Sequence, residues 1–211
     1  MAKRLRTDRE GSEPTWTRRG PTGPDQPRWA VRVWLMDDIA TDGRELVVSS
    51  NGQDWRVGWY PAPDPPAGTP HGAAAVCVSG NQVVLISDDG RRWGLPGGRP
   101  EQGERWVDTL RREVAEEACA LVTSCRLLGF SRGVCVRGPQ AGLVLVRSMW
   151  RAEVRLEDWA PRSEIAHRRL VAGAEALGLV TAAEPGMAPI YRRMFVEAAI
   201  ASVIRPGLPD R

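Results

Sequence analysis

Three features of the chain predict a mixed α/β domain preceded by a small β extension. Between residues 73 and 87, two apolar runs rich in valine, leucine and isoleucine flank Gly80-Asn81, as paired strands joined by a tight turn would. Residues 104–118 then change to an apolar period of three to four, which is the period of a helix. Longer strand-like runs follow at 122–132 and 142–154, and a closing helical segment spans 187–203. Composition alone supports nothing finer than mixed α and β.

Residues 1–27 hold Lys3, Arg4, Arg6, Arg9, Arg18 and Arg19 among Gly, Pro, Ser and Thr. With so little to bury, this stretch reads as a flexible basic tail. Residues 28–72 form the extension, in which β-like runs at 29–36, 45–48 and 55–60 are separated by Asp42-Gly43 and Asn51-Gly52. Such pairs tolerate positive φ and so favour hairpin turns. Residues 61–72, PAPDPPAGTPHG, read as a Pro-rich connector that cannot join a ladder, because proline lacks the N–H a ladder uses. The main domain is expected at 73–205, with a loop at 133–141, a short strand at 168–171 and a helical turn at 174–177.

The 211-residue chain has a net charge of +3, and Lys3 is the only lysine. That balance argues against a nucleic-acid partner. No apolar run approaches the ~18 residues of a membrane span, and the start, MAKRLRTDREGSEPTW, has no apolar signal core, so a cytoplasmic location and no membrane partner are expected. Cys77, Cys119, Cys125 and Cys135 form no CxxC pair and are expected to be free thiols.

Chemistry concentrates in residues 93–122, WGLPGGRPEQGERWVDTLRREVAEEACALV. Gly97 and Gly98 suit a tight turn after Pro96. Val107, Leu110, Val114 and Ala118 fall on one helical stripe, and Glu113, Glu116 and Glu117 on another face. Three carboxylates so close repel one another unless a cation sits among them. Hard oxygen donors without Cys or His suit Mg²⁺ or Mn²⁺ better than zinc.

From Gly98 the pattern runs five residues to Glu104, seven more to Arg112-Glu113, then Val114, any residue and Glu116-Glu117. This resembles the signature of the Nudix hydrolases, with Cys119 where that family usually has the glycine that ends the helix. The resemblance implies an α/β/α sandwich around a mixed sheet, and Glu113, Glu116 and Glu117 as metal ligands, with the Gly98 backbone near the ion. It also implies that Arg112 and Glu104 pair to orient the acidic side chains, which a guanidinium fork can do. A loop carboxylate downstream, Glu164, is implied as a further ligand or general base, with Glu157 and Asp158 as fallbacks. His167 and His71 read as ordinary surface histidines.

The implied reaction is metal-assisted attack of water on one phosphorus of a diphosphate, with a carboxylate taking the proton. Arg99, Arg132 and Arg137 are candidate phosphate contacts, and Trp93, Trp106 and Trp150 are candidate stacking surfaces near the site. The marks of the ADP-ribose, dinucleoside-polyphosphate, coenzyme A and NADH subfamilies are missing, so the substrate stays a small nucleotide or related diphosphate. Family members are often dimers, so a homodimer using the extension is also entertained. Two other readings remain open: a nucleotide sensor on the same fold, motivated by Cys119 together with the missing subfamily marks, and an RNA-end hydrolase, motivated by the basic tail.

Overall fold

The protein is described by a computed structural model over residues 38–161 and 164–200. The basic tail, the run at 29–36 and the part of the closing helix beyond 200 lie outside the described residues. A hairpin of β1 (Glu45–Ser50) and β2 (Gln53–Pro61) comes first. Its turn residues Asn51 and Gly52 have φ of 50° and 72°, the positive values that the Asn-Gly pair predicted. Next come β3 (Thr69–Ser79), β4 (Gln82–Ser87), the two-residue β5 (Gly97–Gly98) and helix α1 (Trp106–Ala118). The long strands β6 (Ala120–Arg137) and β7 (Val144–Leu156) follow, then β8 (His167–Val171), α2 (Gly173–Ala183) and, after a short 3₁₀ turn, α3 (Ala188–Glu197).

One sheet takes in all the described strands, in the order β1-β2-β6-β7-β3-β4-β8 with β5 on β3. The β3–β7 pair is parallel and the other pairings are antiparallel, so the sheet is mixed. The described part of the extension is not a separate layer, because β2 ladders onto β6 from Asp54 to Pro61.

Two expectations need correction. The connector does enter a ladder: Thr69 and Pro70 pair with Leu145 and Val146 of β7. Pro70 is tolerated because β5 and β4 flank β3 only from Ala73 onward, leaving one side of the strand without a neighbour there. The loop expected at 133–141 is shorter, since β6 continues to Arg137. Val134 is laddered to Arg56 on one side and Val144 on the other.

Alternation along β3 decides which helix covers which face. Ala73, Ala75 and Cys77 pack with Leu110, Val114 and Ala118 of α1, whereas Ala74, Val76 and Val78 pack with Ala176, Leu177 and Val180 of α2 and Ile190, Met194 and Phe195 of α3. Helices on both faces make the α/β/α sandwich. The predicted stripe of α1 is confirmed at Leu110, Val114 and Ala118, all fully buried, while Val107 is half-buried at its margin. Burying Leu110 and Val114 contributes about 2 kcal/mol each and fixes which face α1 turns to solvent.

Cys119 does what a glycine would do at the end of α1. It adopts the left-handed conformation at φ 45°, ψ 55°, at a cost of about 1 kcal/mol for a residue with a Cβ. Arg168 of β8 compensates, since its Nη1 donates to the carbonyl oxygens of Ala118 and Cys119 at 2.8 and 2.9 Å. The helix end therefore survives the loss of glycine. Among the described residues no helix is long and apolar enough to cross a membrane.

Candidate active site

Gly97 and Gly98 lie where a side chain has no room. A Cβ on Gly97, at φ 154°, would stand 2.2 Å from the Ala73 carbonyl oxygen, and one on Gly98 would stand 2.1 Å from Glu113 Oε1. The loop is thus pressed between β3 and the acidic face of α1. Gly97 N–H also donates to Glu117 Oε2 at 2.8 Å, fixing the loop to the helix.

Arg112 is the hub of the acidic face. Its Nε and Nη2 hold the two oxygens of Glu104 at 3.0 Å each, in the fork predicted for this pair. Nη1 reaches Glu113 at 3.0 Å and Glu116 at 3.2 Å, and Nη2 also donates to the Arg99 carbonyl oxygen at 2.9 Å. Thr109 Oγ1 and the Glu101 N–H complete the shell of Glu104, each at 2.9 Å.

These contacts push the carboxyls apart in acidity. The Arg112 hydrogen bonds hold Glu104 far down, at about 2. Burial drives Glu117 up to about 7 against the pull of the Gly97 N–H, and the charges of Glu113 and Glu164 raise it further. Glu113 is also raised, by burial first, with Arg112 opposing. For Glu104 the sign is that of a depressed acid: the stability it adds is complete above its ordinary value of 4.5 and is lost as pH falls toward 2. Thermal unfolding of the native chain should therefore drop more steeply between pH 4.5 and 2 than that of Glu104→Gln; identical slopes would contradict the pairing.

Among the described residues no three acidic, imidazole or thiol groups already stand at mutual ligating distance. Glu113 and Glu116 lean on Arg112, and Glu117 on Gly97. The donor set still fits a hard divalent ion. It offers oxygens alone, and burial raises both Glu113 and Glu117, a cost that a cation among them would relieve. Glu164 is exposed, and its negative charge is one of the lesser influences that raise Glu117. The fallback residues Glu157 and Asp158 are exposed, and Glu157 lies 3.8 Å from Arg155. His167 is exposed on β8.

Beside the box loop opens a cavity of about 550 Å³, floored by Ala74, Leu145 and Met149 and bounded by Trp55, Met187 and Tyr191. Arg99 lines it, as expected of a substrate contact. Arg132 does not; it donates to the Ala67 carbonyl oxygen at 2.9 Å and pairs with Glu45 at 3.5 Å, tying the connector to β1. Arg137 pairs with Asp54 at 2.5 Å. The three tryptophans singled out from the sequence also lie outside the cavity wall. Trp93 has Arg169 over its ring at 5.8 Å, Trp106 meets Phe130 at 5.2 Å, and Trp150 packs on the α1 side.

The cavity wall contains Trp55, Arg147 and Tyr191, which the sequence reading passed over, and His71, which it set aside as a surface histidine. Burial, and then the charges of Arg147 and Arg99, lower the His71 pKa. Trp55 could have been found from the alternation Trp55, Val57, Trp59 in a run already read as a strand.

A family model described as the NUDIX domain matches residues 69–194. No curated protein matches the chain. Among solved structures, a mutant form of the Bacillus subtilis pyrophosphohydrolase BsRppH superposes with a TM-score of 0.50 at 23% identity, covering 60% of this chain and 76% of that one. A NUDIX hydrolase from Nitrosomonas europaea gives 0.49 at 20% identity over 61% and 88%, and a MutT protein from Bacillus halodurans gives 0.46 at 22% over 59% and 80%. At 23% identity the likeness to BsRppH speaks to the fold alone. On the family match the chain belongs to the NUDIX family of hydrolases acting on pyrophosphate bonds.

Proposed function

We propose that the protein is a Mg²⁺- or Mn²⁺-dependent pyrophosphohydrolase that cleaves the phosphoanhydride of a nucleoside diphosphate derivative or a related diphosphate. The observation that carries this reading is the acidic face of α1, where Arg112 gathers Glu113 and Glu116 and Gly97 N–H fixes Glu117, standing beside a cavity that Arg99 lines. Glu113, Glu116 and Glu117 would hold the cation, with the Gly98 backbone beside them. When bound, the ion supplies positive charge to the anhydride oxygens and acidifies water. Arg112 sets the rotamers of Glu113 and Glu116 and, through the Arg99 carbonyl, the position of the loop. Glu164, which comes from a separate segment, is assigned the proton-accepting role or a further ligand position. A small-molecule substrate rather than a nucleic acid accords with the net charge of only +3.

Cys119 and the missing subfamily marks together motivated a sensor reading, and the intact helix end answers only the first of the two. Phosphate release from a panel of nucleotide diphosphates, with Mg²⁺ and with EDTA, tests the proposal. Release from at least one compound, abolished by EDTA, is the expected result. Tight binding with no turnover across the panel would transfer the protein to the sensor class.

A further inference from the structure

Arg147 carries a charge that the fold half-buries without a hydrogen bond or ion pair to hold it among the described residues. It sits in the middle of β7, between Ser131 of β6 and Gly72 of β3, and its side chain lines the cavity. A cation in that state costs stability, and an apolar residue there would extend the floor that Leu145 and Met149 already make. The expense points to use.

The neighbouring strand is shaped to admit it. A Cβ on Gly72 would stand 2.8 Å from Arg147 Nε and 3.3 Å from its Cζ, so the guanidinium stem lies across the bare backbone of β3. The same Cβ would stand 2.8 Å from the Gly98 carbonyl oxygen, so Arg147 lies alongside the box loop. Its charge reaches Glu117 on one side and Tyr191 on the other. It therefore stands at the junction between the acidic face of α1 and the cavity, facing Arg99, His71 and the Tyr191–Glu184 pair.

We propose that Arg147, admitted by Gly72, anchors the substrate phosphate that bridges the box and the cavity. This rests on the pyrophosphohydrolase reading for the identity of the substrate, though not for the presence of the anion site. Five N–H donors in a fixed fork would grip phosphate oxygens in place of the missing protein partner, and Arg99 would add a second cation from the rim.

The test is a titration with inorganic pyrophosphate in EDTA, followed by NMR of the arginine Nε–H signals, so that neither metal nor turnover enters. The Arg147 signal should shift and saturate. Arg147→Gln should weaken binding at least about tenfold, the scale of one charge-assisted contact, and Arg147→Lys should recover part of it. Glu116→Gln should bind as well as the native chain or better. Gly72→Ala, checked for an unchanged fold by circular dichroism, should also lose affinity by displacing the guanidinium. Equal affinity in Arg147→Gln, or no saturable binding to the native chain, overturns the proposal. Absence of turnover on any substrate, with this titration intact, would instead count against the hydrolase reading alone. With a turned-over substrate in hand, Arg147→Gln should raise KM at least about tenfold and leave kcat within about threefold, since the contact is made before and during the reaction alike.

Discussion

Glu117→Gln is expected to slow hydrolysis about 1,000-fold while leaving the metal-free protein as stable as the native chain or more so. The rate loss, about 4 kcal/mol in the barrier, follows from removing one of three anionic donors from a site that must neutralise a diphosphate. The stability follows from what Glu117 endures without a cation. Burial raises its carboxyl to about 7, so folding at alkaline pH requires either a buried charge or an unfavourable proton. For such a raised acid the sign is the reverse of that at Glu104: stability falls as pH rises from the ordinary value of 4.5 through 7. Glutamine keeps the shape, and its side-chain oxygen can still accept from Gly97 N–H, yet it has no charge to desolvate. Thermal unfolding in EDTA at pH 8, alongside phosphate release in Mg²⁺, checks both halves. A variant that loses activity because it melts early, or one that retains more than a tenth of the native rate, would remove Glu117 from the metal site.

The same opposition explains which parts of the molecule could be read in advance. Periodicity records burial, so the stripe Leu110, Val114, Ala118 and the alternation of β3 stood in the sequence and recur as the two packed faces of the sheet. The box was legible for a different reason: its members are local, and a helix brings i, i+3 and i+4 together whatever the rest of the chain does. The cavity was not legible, because Trp55, His71, Arg147 and Tyr191 come from four separate elements, and only strand order makes them neighbours. Arg147 had no local mark among so many arginines. Its mark is the glycine beside it in the parallel register, which no linear spacing shows. Pro70 misled for a related reason, since whether a proline can enter a ladder depends on how many sides of the strand are occupied.

Arg112→Ala should be the most destabilising single change in the box, lowering stability by about 2–3 kcal/mol and activity by more than about 100-fold. Every nitrogen of this guanidinium is used, and the groups it releases differ in what they cost. Glu104, with 15% of its side chain exposed, loses the partner that holds it at about 2 and becomes a half-buried charge with only Thr109 and a backbone N–H left. Breaking a fully buried pair costs roughly 3–5 kcal/mol, and the residual exposure here, 23% for Arg112, brings the figure down. Glu116 is nearer solvent, with 45% of its side chain exposed, and its loss of Arg112 should matter to geometry more than to stability. The Arg99 carbonyl is the third casualty, and with it the cavity rim moves. Arg112→Lys keeps the charge but cannot fork, so it should recover less than half of the stability. Pairing Arg112→Ala with Glu104→Gln removes the stranded charge, and urea unfolding of the double variant should show a smaller deficit than Arg112→Ala alone. Additive losses would mean that Glu104 and Arg112 act independently, and the activity loss would then have to be traced to Glu113 and Glu116 without any role for the loop.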